Sequence, residues 1–231
     1  MRRFYKKIDI LQSEKCYQVT LDKSPLKTPL KSILQLPTKK LARKIAEEWS
    51  NVETEIIPEK MPLYSLAVTA LDRVSPQKRE LSTQMQNYIM NDLLCYRESD
   101  DTKLQEHQNQ HWNPWLSWSN AEFAFNLKIG KGIMPVAQEV RNANLLTHEI
   151  SRMNIWTFMC FVRVTTLTGS AILALAFIRK QLLPEELFSL SYLDELYQNA
   201  RWGVDDEAIA KQISVKNELH DLSYFFRLAV R

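Results

Sequence analysis

Asp92-Leu93-Leu94-Cys95-Tyr96-Arg97 opens the stretch that decides the fold, and Leu104, Gln108, Trp112-Asn113-Pro114, Trp115 and Trp118 follow it. Three of the six tryptophans fall within seven residues, at 112, 115 and 118. Large rigid aromatics can each bury ~150–250 Å², so this density marks a packed core corner or an interaction anchor. The pattern predicts one helix from roughly Thr102 to Phe123, with Pro114 bending or restarting it. No step in the stretch resembles a catalytic arrangement.

Downstream of this helix, Ile129-Gly130-Lys131-Gly132-Ile133-Met134-Pro135 reads as a turn or short strand, and from Ala137 onward the pattern is helical. Asn154 is placed to cap a long apolar helix from Ile155 to Ile178 whose only charge is Arg163. That length matches a bilayer span, which needs ~20 apolar residues. Against a span stand Arg163 near the middle, costing ~2.5–3.5 kcal/mol on insertion, and the polar Thr165, Thr166, Thr168 and Ser170. The reading is a buried central helix and no stable membrane insertion. Pro184-Glu185-Glu186 starts the next helix, with proline in the first turn and acids favoured by the helix dipole. Its Leu190, Leu193, Leu196, Tyr197 and Ala200 form one apolar stripe, and at ~100° per residue Glu195 points away from it. A last helix is expected over about Asp205 to Leu228.

Upstream the period changes. Tyr5, Ile8, Ile10 and Tyr17, Val19, Leu21 are short runs of period two, separated by a polar turn at Gln12-Ser13-Glu14-Lys15. Ser24-Pro25 and Thr28-Pro29 punctuate two more extended pieces ending at Leu36, and prolines there suit edge positions. Thr38 then caps a helix in which Leu41, Ala42, Ile45, Ala46 and Trp49 recur at three and four, so Trp49 faces a core. Helices are also expected after Pro62 and after Pro76, the latter to about Asn91. The fold class is therefore α+β: a small N-terminal antiparallel β unit, residues 1–36, followed by a larger, mainly α-helical domain, residues 37–231.

Composition narrows function by exclusion. The 231 residues are 45% hydrophobic and 25% charged, enough for a core under an ordinary solvated surface. Only four glycines occur, and neither a G-x-G-x-x-G nor a G-x-x-x-x-G-K-[ST] loop is present, so nucleotide binding by those routes is excluded. Cys16, Cys95 and Cys160 form no C-x-x-C, which argues against a zinc site or a disulfide framework. The start, Met1-Arg2-Arg3-Phe4-Tyr5, lacks an apolar h-region and is not read as a secretory signal or a transit peptide. Net charge is +3, but residues 1–44 hold twelve Lys/Arg against three Asp/Glu, and the remainder eighteen against twenty-four. One end is basic and the other acidic, which suits a polar partner surface or simply a lysine-rich solvated sheet face.

Candidate chemistry is thin. His107 and His111 share a helix face at zinc-protease spacing, but Gln108 stands where that motif needs glutamate and no third ligand is evident. Cys95 lies among Leu94 and Tyr96, surroundings that raise a thiol pKa and make it inert. The acids Asp205-Asp206-Glu207 and Glu185-Glu186 lie where helix N-termini attract them. The basic N-terminal face raises an alternative, a nucleic-acid-binding module, although Phe4, Tyr5 and Tyr17 make no stacking pair of the RNA-binding kind. Neither catalytic residues, a cofactor nor a metal is expected.

A set of landmarks runs the length of the chain: Phe4-Tyr5-Lys6, Leu21-Asp22, Leu26-Lys27-Thr28-Pro29, Leu36-Pro37, Glu48-Trp49 and Met61-Pro62-Leu63. Leu66-Ala67-x-Thr69-Ala70, the Asp92–Arg97 block, Gln108 with Trp112, Pro135, and Tyr197-Gln198 with Trp202-Gly203 continue it. In this order they resemble the chaperones that assemble the F(1) sector of ATP synthase by holding its α subunit. The resemblance implies a monomeric, non-enzymatic protein of a bacterial cytoplasm or a mitochondrial matrix, without cofactor or nucleic acid, whose partner is the unassembled α subunit. It also implies partner-binding residues in Leu193-Asp194-Glu195-Leu196-Tyr197-Gln198: Glu195 foremost, then Asp194, Gln198 and Trp202. Leu196 stands where some members carry an acid, which leaves open which of Asp194 and Glu195 matters.

Overall fold

The computed structural model describes residues 2–13, 16–132 and 134–230. Glu14 and Lys15 of the expected turn, and Ile133 of the Ile129–Pro135 segment, lie outside the described residues. The fold is α+β, a small antiparallel sheet followed by helices. Two compact units are formed: one from the chain up to Lys78 with Asn154–Met159 and the stretch from Asp221, the other from Arg79–Met153 and Cys160–His220.

In the first unit, β1 (Ile8–Gln12), β2 (Tyr17–Leu21) and β3 (Ser24–Pro25) pair antiparallel in that order, with Ile8 opposite Leu21 and Ile10 opposite Val19. The period-two pattern buries Val19 and Leu21. Asp22 and Lys23 join β2 to β3 with φ of 47° and 71°, the left-handed pair that a two-residue hairpin of this twist requires. Asp22 also accepts hydrogen bonds from the backbone N–H groups of Lys6 and Lys7, which hold its carboxyl below the usual range.

α1 (Lys39–Ser50) begins where Thr38 Oγ1 accepts the Leu41 N–H at 3.1 Å. Its Leu41, Ala42, Ile45 and Trp49 are buried and pack toward β1, β2 and α2 (Pro62–Val68), which is why the sheet segment and these helices form one unit. Trp49 is 4% exposed, between the rings of Tyr5 at 5.5 Å and Tyr64 at 5.2 Å. Its neighbour Glu48 accepts the Leu63 and Tyr64 N–H groups, both at 2.8 Å, at the start of α2. Burial pushes Glu48 up to about 7 despite those two bonds.

After α3 (Lys78–Met90), the second unit contains α4 (Thr102–Phe123), capped by Asp101 and continuous through Pro114, and α5 (Val140–Ser151). It buries Leu104, Gln108, Trp112, Ser119 and Phe123, one stripe of the helix, so the tryptophan-rich segment divides: Trp112 is core, whereas Trp115 and Trp118 are only partly covered. Gly130–Lys131 forms β5, parallel to β4 (Tyr96–Arg97).

The single helix expected from Ile155 to Ile178 is two: α6 (Ile155–Thr168) and α7 (Ala171–Ile178). Asn154 does cap α6, accepting the Thr157 N–H at 2.9 Å. The break comes where Gly169 takes φ +70° and Ser170 caps α7 through the Leu173 N–H. Asp92, fully buried, completes it: one carboxylate oxygen accepts the Leu94 N–H at 3.0 Å and the other the Ile172 N–H at 3.1 Å. Burial raises Asp92 to about 6, and its bonds to Ser170, Leu94 and Ile172 work against that rise. Likewise, the helix expected from Pro184 stops at Ser191 (α8) and resumes as α9 (Leu193–Trp202), because Tyr192 leaves helical geometry. α10 runs Asp206–Ala229. Among the described residues no helix is long and apolar enough to cross a membrane.

Candidate partner-binding site on α9

The resemblance pointed to α9, and its geometry there follows from helical spacing. At ~100° per residue, Leu193, Leu196, Tyr197 and Ala200 share one face, Glu195, Gln198 and Trp202 the opposite one, and Asp194 lies between. Glu195 is exposed, as expected, Gln198 is exposed too, and Trp202 is 74% exposed at the last helical position. Gly203, at φ +83°, ends the helix in a conformation that disfavours a side chain there, although a Cβ would meet nothing within 4 Å. The four residues therefore do not form one cluster. Three share a solvent face, and Asp194 is turned toward α4.

Asp194 accepts a 2.8 Å hydrogen bond from Gln108 Nε2, whose amide is fixed by its Oε1 accepting the Glu98 N–H at 2.7 Å. Half-burial raises the Asp194 carboxyl, offset in part by Gln108. Arg97 is 3% exposed, donating to Asn109 Oδ1 at 2.9 Å, the Leu94 carbonyl at 2.6 Å and Asn113 Oδ1 at 2.7 Å, with its guanidinium over the Trp112 ring. Burial holds its pKa below the usual guanidinium value. Trp112 in turn donates to the Leu190 carbonyl at 2.9 Å, tying α4 to α8. At the other end, Arg201 pairs with Asp101, the cap of α4, and lies over the Tyr197 ring.

The apolar residues expected to form one stripe along α8 and α9 differ in burial. Leu190 and Leu193 are buried, Leu196 and Tyr197 are half-covered, Ala200 is exposed, and the stripe lines an open cleft of about 780 Å³. α4 supplies the facing wall through His107, His111, Pro114 and Trp115. The histidine rings meet edge to face at 4.5 Å, and burial with the neighbouring His107 lowers His111. No group of three or more His, Cys, Asp or Glu able to hold a metal occurs among the described residues. Cys95 and Cys160 are buried, and burial pushes both thiols up.

Sequence reasoning singled out α9 but not what holds it. Arg97, Gln108 and Trp112 stood in the landmark pattern as residues without a role, and Asp101, Arg201 and Trp115 were not tied to α9 at all. The only signal available was the four-residue step from Gln108 to Trp112, which places both on one face of α4.

Residues 2–120 match the family model described as ATP12 chaperone protein. The chain is 27% identical to mitochondrial protein atp12 of Schizosaccharomyces pombe, over 94% of this chain and 79% of that one. The crystal structure of Atp12 from Paracoccus denitrificans superposes with a TM-score of 0.94 at 36% identity, covering 99% of this chain and 98% of the other. An aspartate-to-lysine mutant of P. denitrificans Atp12p gives the same TM-score at 35% identity, covering 99% and 97%. The family match ends before α9, but both structural matches extend over it. With the landmarks from Phe4 to Trp202 laid on one fold, the chain belongs to the ATP12 chaperone family and is a chaperone of ATP synthase assembly.

Proposed function

We propose that this protein binds the unassembled α subunit of ATP synthase F(1), keeps it from aggregating and releases it as the α/β hexamer forms. The observation that carries the reading is the solvent face of α9, where the acid Glu195 and the amide Gln198 flank a 74% exposed indole at Trp202. Tryptophan is enriched among the residues that anchor interfaces, so an indole this exposed is suited to be covered by a partner. Glu195 is also exposed, with no hydrogen bond or ion pair among the described residues, so its carboxyl group can meet a basic site on the partner. Asp194 has the lesser part: its bond to Gln108 sets the rotation of α9.

The protein works as a monomer, by covering surface and without a catalytic step. Its buried cysteines are held as inert thiols by burial. The client's β-facing surface is the apolar patch that would otherwise aggregate, and β displaces the chaperone by competing for it. Light scattering tests this: purified α subunit diluted from denaturant should stay clear with wild type and turn turbid with Glu195→Lys. Equal protection by both proteins would remove Glu195 from the mechanism, and no protection by either would end the reading.

A further inference from the structure

The cleft beside α9 is a second surface of the same helix, facing away from Glu195 and Trp202. Its walls are helical. His107, His111 and Trp115 recur every four residues on α4, and Leu193, Leu196, Tyr197 and Ala200 follow the three-four spacing on α9. The eight-residue step from His107 to Trp115 spans about 12 Å at 1.5 Å per residue, or roughly two helical turns. At about 780 Å³, the space is in the range of a site that buries several apolar side chains.

Charge settles which segment fits. The lining includes the carboxylates of Glu185 and Glu186 and no lysine or arginine. Glu185 is faced by His220 at 3.3 Å, and Glu186 accepts the Leu183 N–H at 2.9 Å. Nearby cations are already turned elsewhere: Lys216 lies over the Phe188 ring at 4.4 Å, and Arg201 is paired with Asp101. An apolar floor under an acidic rim attracts a segment that is apolar on one side and basic at its edge.

We propose that the α4–α9 cleft is a helix-binding groove that takes about two turns of an amphipathic client helix, with apolar anchors at three- and four-residue spacing and Lys or Arg along the flank next to Glu185. The proposal rests on the α-subunit reading and adds to it the recognition element of the client. α9 then serves as a two-sided element, with one face in the groove and the other presenting Glu195 and Trp202.

The test is site-specific photocrosslinking to purified F(1) α subunit, with a benzophenone amino acid placed at Ala200 in the groove or at Gln198 on the opposite face. Both positions are exposed, so neither replacement disturbs the core. The expected result is crosslinking from both, the Ala200 adduct mapping to a basic amphipathic helix of the α subunit. Glu185→Lys should lower the yield from Ala200 about five- to tenfold, as reversing one rim charge changes binding by about a factor of ten at most. Crosslinking from Gln198 alone overturns the groove and leaves the α-subunit reading standing. An Ala200 adduct with a second copy of this chain, or with an acidic or non-helical client segment, also overturns the groove. No adduct from either position, together with no protection in light scattering, overturns both.

Discussion

Glu48-Trp49 and Glu195 with Trp202 are the same two residue types in two settings. In the first unit the tryptophan is 4% exposed, and the glutamate spends both oxygens on the N–H groups of Leu63 and Tyr64. On α9 the tryptophan is 74% exposed, and the glutamate faces solvent. One pair is built into the fold, whereas the other faces solvent. Residue type therefore does not distinguish a core position from a surface one; the partners of each polar atom do.

The contrast is sharpest in stability. Trp49→Ala should cost about 3–5 kcal/mol, as for other buried aromatic truncations, and a melting midpoint that barely moves would refute its place in the core. Asp92→Ala should follow, at about 1–3 kcal/mol, because the N–H groups of Leu94 and Ile172 lose their acceptor in a dry site. Thermal unfolding with intact helical circular dichroism at low temperature would measure it.

The buried acids also predict a pH dependence. Glu48 is raised to about 7 and Asp92 to about 6, each above the value of about 4 that carboxylates have in an unfolded chain. A raised folded-state pKa means the native form binds the proton more tightly, so this contribution is full below about pH 4 and is lost as pH rises through 6 and then 7. Wild type should therefore lose stability between pH 5 and 8 relative to Glu48→Gln, whose upper part of the slope should vanish while the amide oxygen keeps one bond to the α2 start. Parallel curves for the two proteins would show that Glu48 stays ionised in the fold.

The smallest stability effects are expected on the solvent face of α9. Trp202→Ala and Glu195→Lys should each stay within about ±0.5 kcal/mol of wild type, because both side chains face solvent. Their effect is expected in the clarity of diluted α subunit instead. A large drop in melting midpoint for Glu195→Lys would move that residue into the same class as Glu48.

Much of this was legible residue by residue. Thr38 as a cap, the Leu41–Trp49 stripe, α4 from Thr102 to Phe123 and the outward direction of Glu195 all follow from local spacing, and the structure agrees on each. The break between α6 and α7 was not: Gly169 and Ser170 are weak local cues in an apolar run, and Asp92, far away in sequence, supplies the acceptor that fixes the turn. The cleft along α8 and α9 was not legible for a related reason. Periodicity says which residues share a face, and it is silent on whether another element covers that face.

The sequence alone determined the extended N-terminal start with mainly helical structure after it, the lack of phosphate loops and the family to which the landmarks belong, since these depend on neighbours along the chain. Only the tertiary structure decided that Asp194 binds Gln108 while Glu195 faces solvent, that Arg97 is an internal tie, and that an apolar stripe opens into a cleft. Each of these depends on where a distant segment stops, and burial, which sets the energy of every polar and apolar group, is a property of that arrangement.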